Sequence, residues 1–150
     1  MKMTNNMKAF LDMLAFSEGT INIGDNGYNV IVGGATFTGY ADHPRKLVSL
    51  PKLGIKSTAA GRYQVLARYF NHYKSLLSLP DFSPESQDRI AVQLIRERGA
   101  FVLVNEGKVA EAIDRVKNIW ASLPGAGYGQ HEHRLDKLVS AYRRYGGTVA

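Results

Sequence analysis

A chain of 150 residues suits one compact domain that buries about 68–70% of its unfolded surface, so no covalent staple is required. The absence of cysteine excludes disulfides and thiolate-held metals, and no run approaches the ~20 apolar residues of a membrane span or, in the opening "MKMTNNMKAF", a signal-peptide core. The net charge of +6 favours polyanions such as an anionic wall polymer or lipid surface, whereas the scattered Lys and Arg, with no aromatic-interleaved basic block, make nucleic acid the weaker partner.

Residues 5–17 read as a helix. Met7, Phe10, Leu11 and Leu14 fall on one face, Asn5 or Asn6 can cap the start, and Gly19 stops it. "YNVIVGGATFTGY" (28–40) is rich in Val, Ile, Thr and Tyr around Gly33-Gly34, and predicts two short strands joined by a tight turn. The stretch 41–58 has two prolines and little periodicity, so it is expected to be an ordered loop. From Ala59 the helical period returns: Tyr63, Leu66, Phe70, Tyr73 and Leu77 share a face, Ser57 or Thr58 is the cap, and Pro80 lies beyond the end.

"FSPESQDRIAVQLIRERG" predicts a third helix, with Ser83 as N-cap, Pro84 first and Gly99 closing it. Ile90, Leu94 and Ile95 form its buried stripe. Further helices are expected near 108–121 (Val109, Ile113, Val116 and Trp120 inward) and 131–145 (Leu135, Leu138, Val139 and Tyr142 inward). The glycine-rich "LPGAGYGQ" separates them. No repeat or second domain is evident, and the expectation is a mostly helical α+β fold with one small hairpin over residues 1–150.

The chemistry concentrates at "FSEGT". Met7, Leu11, Leu14 and Glu18 are spaced 4, 3 and 4 apart, which aims Glu18 along the buried face. Burial and the negative end of the helix dipole both favour the protonated carboxyl, the state a general acid needs. The alternative is that the last turn frays and Glu18 points to water. Glycosidases usually pair two carboxylates. The candidates here are Asp25 in the turn-forming "GDNG" and Asp42 before "HPR", and neither has a spacing that demands a catalytic role. Residue 29 is Asn.

In "STAAGRYQ" (57–64), Ser57, Tyr63 and Gln64 could contact a ligand. Tyr63 also sits on the apolar stripe, where core packing is the stronger reading. Tyr128 is the one aromatic of the glycine-rich loop, either stacking on a sugar or lidding the core. "HEH" (131–133) puts its histidines about 200° apart on a helix, a poor arrangement for chelation, so no metal is expected.

The blocks "AFLDMLAFSEGT", "YNVIVGG", "DHPRKLV", "KSTAAGRYQ", "FSPESQD", "AIDR", "NIWASLPGAGYGQ" and "GGTV" together resemble the phage endolysins of the lambda type, from about residue 8 to 149. The resemblance implies a lysozyme-like fold, with a helical lobe, a small hairpin-bearing lobe and a cleft between them. It implies a lytic transglycosylase that cleaves the β-1,4 bond from N-acetylmuramic acid to N-acetylglucosamine in peptidoglycan. The muramic C6 hydroxyl would close on its own anomeric carbon, giving a 1,6-anhydro sugar. Glu18 carries over as acid and then base, while Ser57, Tyr63, Gln64, Tyr128 and Asn29 are the candidate substrate contacts. No cofactor is implied. The protein would be a monomer without stable membrane insertion, made in the host cytoplasm and reaching the wall through holin lesions.

The chain also departs from the resemblance. The loop before Tyr28 is shorter, Asn29 replaces an aspartate, Tyr69-Phe70 replaces a tryptophan pair on an expected core face, and His131 is new. A hydrolytic lysozyme using Asp25 or Asp42 is the rival reading, and a non-catalytic basic wall- or nucleic-acid-binding module is a more distant one.

Overall fold

The computed structural model describes residues 2–127 and 132–150. Its elements are α1 (Asn5–Glu18), β1 (Val48–Leu50), β2 (Ile55–Ser57), α2 (Ala67–Leu77), α3 (Pro84–Glu97), α4 (Phe101–Asn105), α5 (Val109–Val116) and α6 (Leu135–Arg144). They sort into two compact units, one of Met1–Glu18 with Ala91–Ala150, the other of Gly19–Ile90.

In the first unit α1 packs against α4 and α6, and α5 against the same two helices. Met7, Ala9, Phe10, Leu11, Met13, Leu14 and Ala15 are all buried, so the apolar surface of α1 extends well beyond the predicted stripe. A helix apolar on most sides belongs inside a bundle, and that is where α1 lies. Its cap is Thr4 rather than Asn5 or Asn6: the Met7 amide donates to Thr4 Oγ1 at 3.0 Å. Asn6 instead ties the chain end, accepting from the Thr148 amide at 2.9 Å and donating to the Asn105 carbonyl at 3.1 Å.

The helix expected over 108–121 is shorter and is preceded by α4. Trp120 lies beyond its end but is buried, as its spacing suggested. α6 starts at Leu135 instead of 131. Leu138 and Tyr142 are buried, while Leu135 faces out.

In the second unit the sheet is not where composition placed it. Around Gly33-Gly34 the chain makes only isolated bridges, Val30 with Thr36 and Ile31 with Ala60. The two strands lie in the stretch expected to be loop. They pair antiparallel, Val48 with Ser57, Ser49 with Lys56 and Leu50 with Ile55, around Pro51–Leu53 and a left-handed Gly54. Strands of three residues, all exposed or only half-buried, are too short for an alternating pattern to be read.

α2 begins eight residues later than expected. Ala60 and Val65 exchange backbone hydrogen bonds at 3.1 and 2.8 Å, closing a turn in which Gly61 and Gln64 both take positive φ. A Cβ on Gly61 would overlap the Gln87 side chain, so the site needs glycine. Thr58 still serves the helix, since its Oγ1 accepts from the Ala67 amide at 3.0 Å. Ser83 caps α3 by accepting from the Ser86 amide at 3.3 Å, with Pro84 first, as predicted. Of the aromatic pair, Phe70 is core, but Tyr69 is about half exposed (49%), so only one of the two lies on the core face.

The core of this unit also holds polar groups. His43 lies between the Phe70 and Phe82 rings, with centroids at 5.9 and 4.9 Å. Its Nε2 meets the Val65 carbonyl at 2.8 Å and its Nδ1 accepts from the Arg45 amide at 2.9 Å. Only the neutral Nε2–H tautomer serves both bonds.

Candidate active site

Glu18 is the last residue of α1, and Gly19 follows in the left-handed conformation that ends the helix (φ +78°). The side chain does not fray into water. Ser122, 104 positions away, donates its hydroxyl to Glu18 Oε2 at 2.5 Å. Burial pushes the Glu18 pKa up to about 7, against the pull of the Ser122 hydrogen bond, which favours the ionised form. The carboxyl therefore keeps its proton well above the usual carboxylate range, toward the neutral pH where a general acid is most effective.

Three neighbours frame this carboxyl within the same unit. Ser17 is buried, and its Oγ lies 2.7 Å from Ser122 Oγ. His133 Nε2 reaches the Ser17 carbonyl at 3.1 Å, and its backbone amide donates to the Ser122 carbonyl at 2.9 Å. The Phe16 ring lies 5.6 Å from the His133 ring and 5.6 Å from the Arg144 guanidinium.

Glu132, read from sequence only as part of a "HEH" string, accepts from the Gly125 and Gly127 amides at 3.0 and 2.9 Å. The Gly127 and Gly125 bonds hold its carboxyl below the usual range. Ser122, His133 and Glu132 escaped sequence reasoning because their partners lie in α1 or across a loop. No local period marks such pairs.

The remaining candidates belong to the second unit. Tyr63 is about 1% exposed, and its hydroxyl donates to Asp88 at 2.6 Å, so it is a core residue out of reach of a sugar. Tyr28 donates to the same carboxylate at 2.9 Å. Gln64 is half-buried, and its amide donates to the Gly61 carbonyl at 2.9 Å. Ser57 Oγ accepts from the Ala59 amide at 3.1 Å. Asn29 Oδ1 accepts from the Asp25 amide at 2.7 Å, making turn-building its first role.

Neither rival carboxylate stands idle. Tyr40 donates to Asp25 at 2.5 Å. Arg45 bonds Asp42 at 2.8 and 3.2 Å, and these bonds hold that carboxyl below its ordinary range. Tyr128 and His131 lie outside the described residues.

Comparison with known proteins gives a consistent result. The model of the Endolysin family matches residues 8–149. The endolysin of Escherichia phage lambda is 58% identical over 153 residues, covering 99% of this chain and 96% of that protein. The endolysin of Escherichia phage P2 is 54% identical over 157 residues, covering 97% and 95%. Among solved structures, bacteriophage lambda lysozyme complexed with a chitohexasaccharide superposes with a TM-score of 0.95 at 55% identity, covering 100% of this chain and 99% of that one. A second lambda lysozyme structure gives a TM-score of 0.91 at the same identity. The fold is therefore lysozyme-like and α+β, with six helices and one two-stranded sheet among the described residues.

Proposed function

The chain belongs to the endolysin family, and on that premise we propose that it degrades bacterial peptidoglycan as a lytic transglycosylase, with both units acting as one catalytic domain. The observation that carries this reading is a half-buried glutamate at the end of α1 whose pKa is pushed up to about 7 and whose carboxyl accepts from the Ser122 hydroxyl. Protonated Glu18 gives its proton to the glycosidic oxygen, and the C1–O4 bond of the muramic residue breaks. The departing N-acetylglucosamine keeps that proton as its new hydroxyl. The Glu18 carboxylate then takes the proton of the muramic C6 hydroxyl as O6 bonds to C1. The proton ledger closes without water, and the 1,6-anhydro ring forms by an intramolecular attack favoured by proximity.

This route asks nothing of a second carboxylate. A hydrolytic mechanism would have to draw Asp25 from Tyr40 or Asp42 from Arg45. Their existing engagements favour the transglycosylase reading. Substrate hydrogen bonds are assigned to Gln64 through Oε1, Ser57 through its hydroxyl proton, and Asn29 through its amide N–H groups. The related lysozyme solved with a chitohexasaccharide supports a β-1,4-linked amino-sugar polymer as the ligand class. The protein acts as a monomer that is made in the host cytoplasm and released to the wall when a holin opens the membrane.

The test is mass spectrometry of digested peptidoglycan. Muropeptides lighter by one water than hydrolysis products are expected, and reducing ends would overturn the mechanism. Glu18→Gln is expected to lose at least about 100-fold in activity, and an active variant would remove Glu18 from its role.

A further inference from the structure

The assignment of Glu18 leaves open what selects the oxygen that carries its proton. Among the described residues, three groups on separate stretches of chain converge behind the carboxyl. Ser122 donates to Oε2 at 2.5 Å, and Ser17 Oγ stands 2.7 Å behind Ser122 Oγ. A hydroxyl has one proton to give. With the Ser122 proton committed to Glu18, the contact between the serines is filled by the Ser17 proton. The chain of donors therefore runs Ser17 to Ser122 to Oε2.

His133 braces both serines. Its ring nitrogen bonds the Ser17 carbonyl, and its own amide bonds the Ser122 carbonyl. A carbonyl only accepts, so Nε2 carries a proton in this arrangement.

We propose that Ser122 is the positioning residue of the acid: backed by Ser17 and held in place by His133, it occupies Oε2 as a permanent acceptor and leaves Oε1 as the oxygen that carries, gives and takes back the catalytic proton. The proposal rests on the reading of Glu18 as the acid. Its chemistry adds no step, since no proton leaves either serine. During turnover Oε2 changes from carbonyl-like to carboxylate oxygen while the same donor faces it. The hydrogen bond strengthens as charge develops, which stabilises the ionised state formed after the first proton transfer. The titratable and charged groups nearest this end of α1 on the packed segments are His133, directed at the Ser17 carbonyl, and Arg144 of α6, over the Phe16 ring.

The test compares wild type with Ser122→Ala, Ser122→Thr and Ser17→Ala. The Glu18 carboxyl is titrated directly by carbon NMR, and kcat and KM are measured across pH on soluble glycan strands. Ser122→Ala is expected to raise the Glu18 midpoint by about half a unit or more and to shift the alkaline limb of kcat/KM with it. It should lower kcat about tenfold with KM little changed, in proportion to a lost charge-assisted hydrogen bond. Ser17→Ala should move the midpoint the same way by less, and Ser122→Thr should restore it.

An unmoved Glu18 midpoint in Ser122→Ala overturns the proposal, as does a loss confined to KM. If Ser122→Ala does not fold, Ser17→Ala decides by the same midpoint. The NMR titration does not depend on turnover. Failure of the Glu18 assignment, seen as an active Glu18→Gln, is therefore distinguishable from failure of the serine chain.

Discussion

The raised pKa of Glu18 ties the acid role proposed for it to the stability of the fold. Its carboxyl is protonated more readily in the folded chain than in the unfolded one, with a pKa of about 7 against 4.5. The folded state therefore binds the extra proton, and the stabilisation is full below about pH 4.5 and lost as pH rises through 7. The shift corresponds to about 3 kcal/mol. Glu18→Gln, which keeps a neutral side chain at every pH, is expected to match wild type near pH 4 and to be more stable by up to about that amount near pH 8. Urea unfolding at the two pH values checks this, and an equal difference at both would refute the buried-acid account. His43 acts in the opposite sense. Burial among aromatic rings holds it neutral, so its contribution is lost as pH falls below the ordinary histidine range, and this acid-side loss persists in Glu18→Gln.

At the scale of elements, the ends of helices and loops carry the specificity. Thr4 caps α1 and also donates to Asn105 Oδ1 at 2.6 Å. Gly107 follows α4 at φ +78°, and a Cβ there would overlap the Thr148 carbonyl, while its own carbonyl accepts from the Ala150 amide at 3.0 Å. The C-terminal strap is thus seated on a position only glycine fills. Thr4→Ala is expected to cost about 1 kcal/mol. Gly107→Ala should cost more, about 2 kcal/mol or above, from the left-handed backbone and the displaced strap together. Thermal unfolding of the two variants checks the order, and a Gly107→Ala as stable as wild type would show that the strap is not held there.

At the scale of the whole molecule, charge is the property that bears on the partner. A net charge of +6 favours anionic polymers and surfaces. Lysis of permeabilised Gram-negative cells is expected to weaken steadily as salt shortens the screening length from ~10 Å at 0.1 M to ~3 Å at 1 M. A flat response would leave the charge with solubility alone. The second unit adds a hydrogen-bonded polar core. Asp88 accepts from Tyr28 and Tyr63, and Gln87 donates to the Tyr28 and Phe82 carbonyls while accepting from the Arg62 amide. These bonds hold loops rather than a sheet together, consistent with the shortness of β1 and β2.

Periodicity along the chain was enough for α1, α3, the core of α5 and α6, and the position of Glu18 on a buried face, because a helix brings residues three and four apart together and its caps are local. The family-bearing blocks identified the endolysin family. What the sequence by itself could not determine lay wherever the deciding partner is remote. The strands at Val48–Leu50 and Ile55–Ser57 are too short and too exposed to show alternation. The turn at 60–65 replaces a helical start because Gly61 packs on Gln87. Tyr63 chose Asp88 over a ligand. Glu18 was legible as an acid in an apolar setting, but its hydrogen-bond donor is 104 residues away, and only the folded chain puts the Ser122 hydroxyl on Oε2 with Ser17 and His133 behind it.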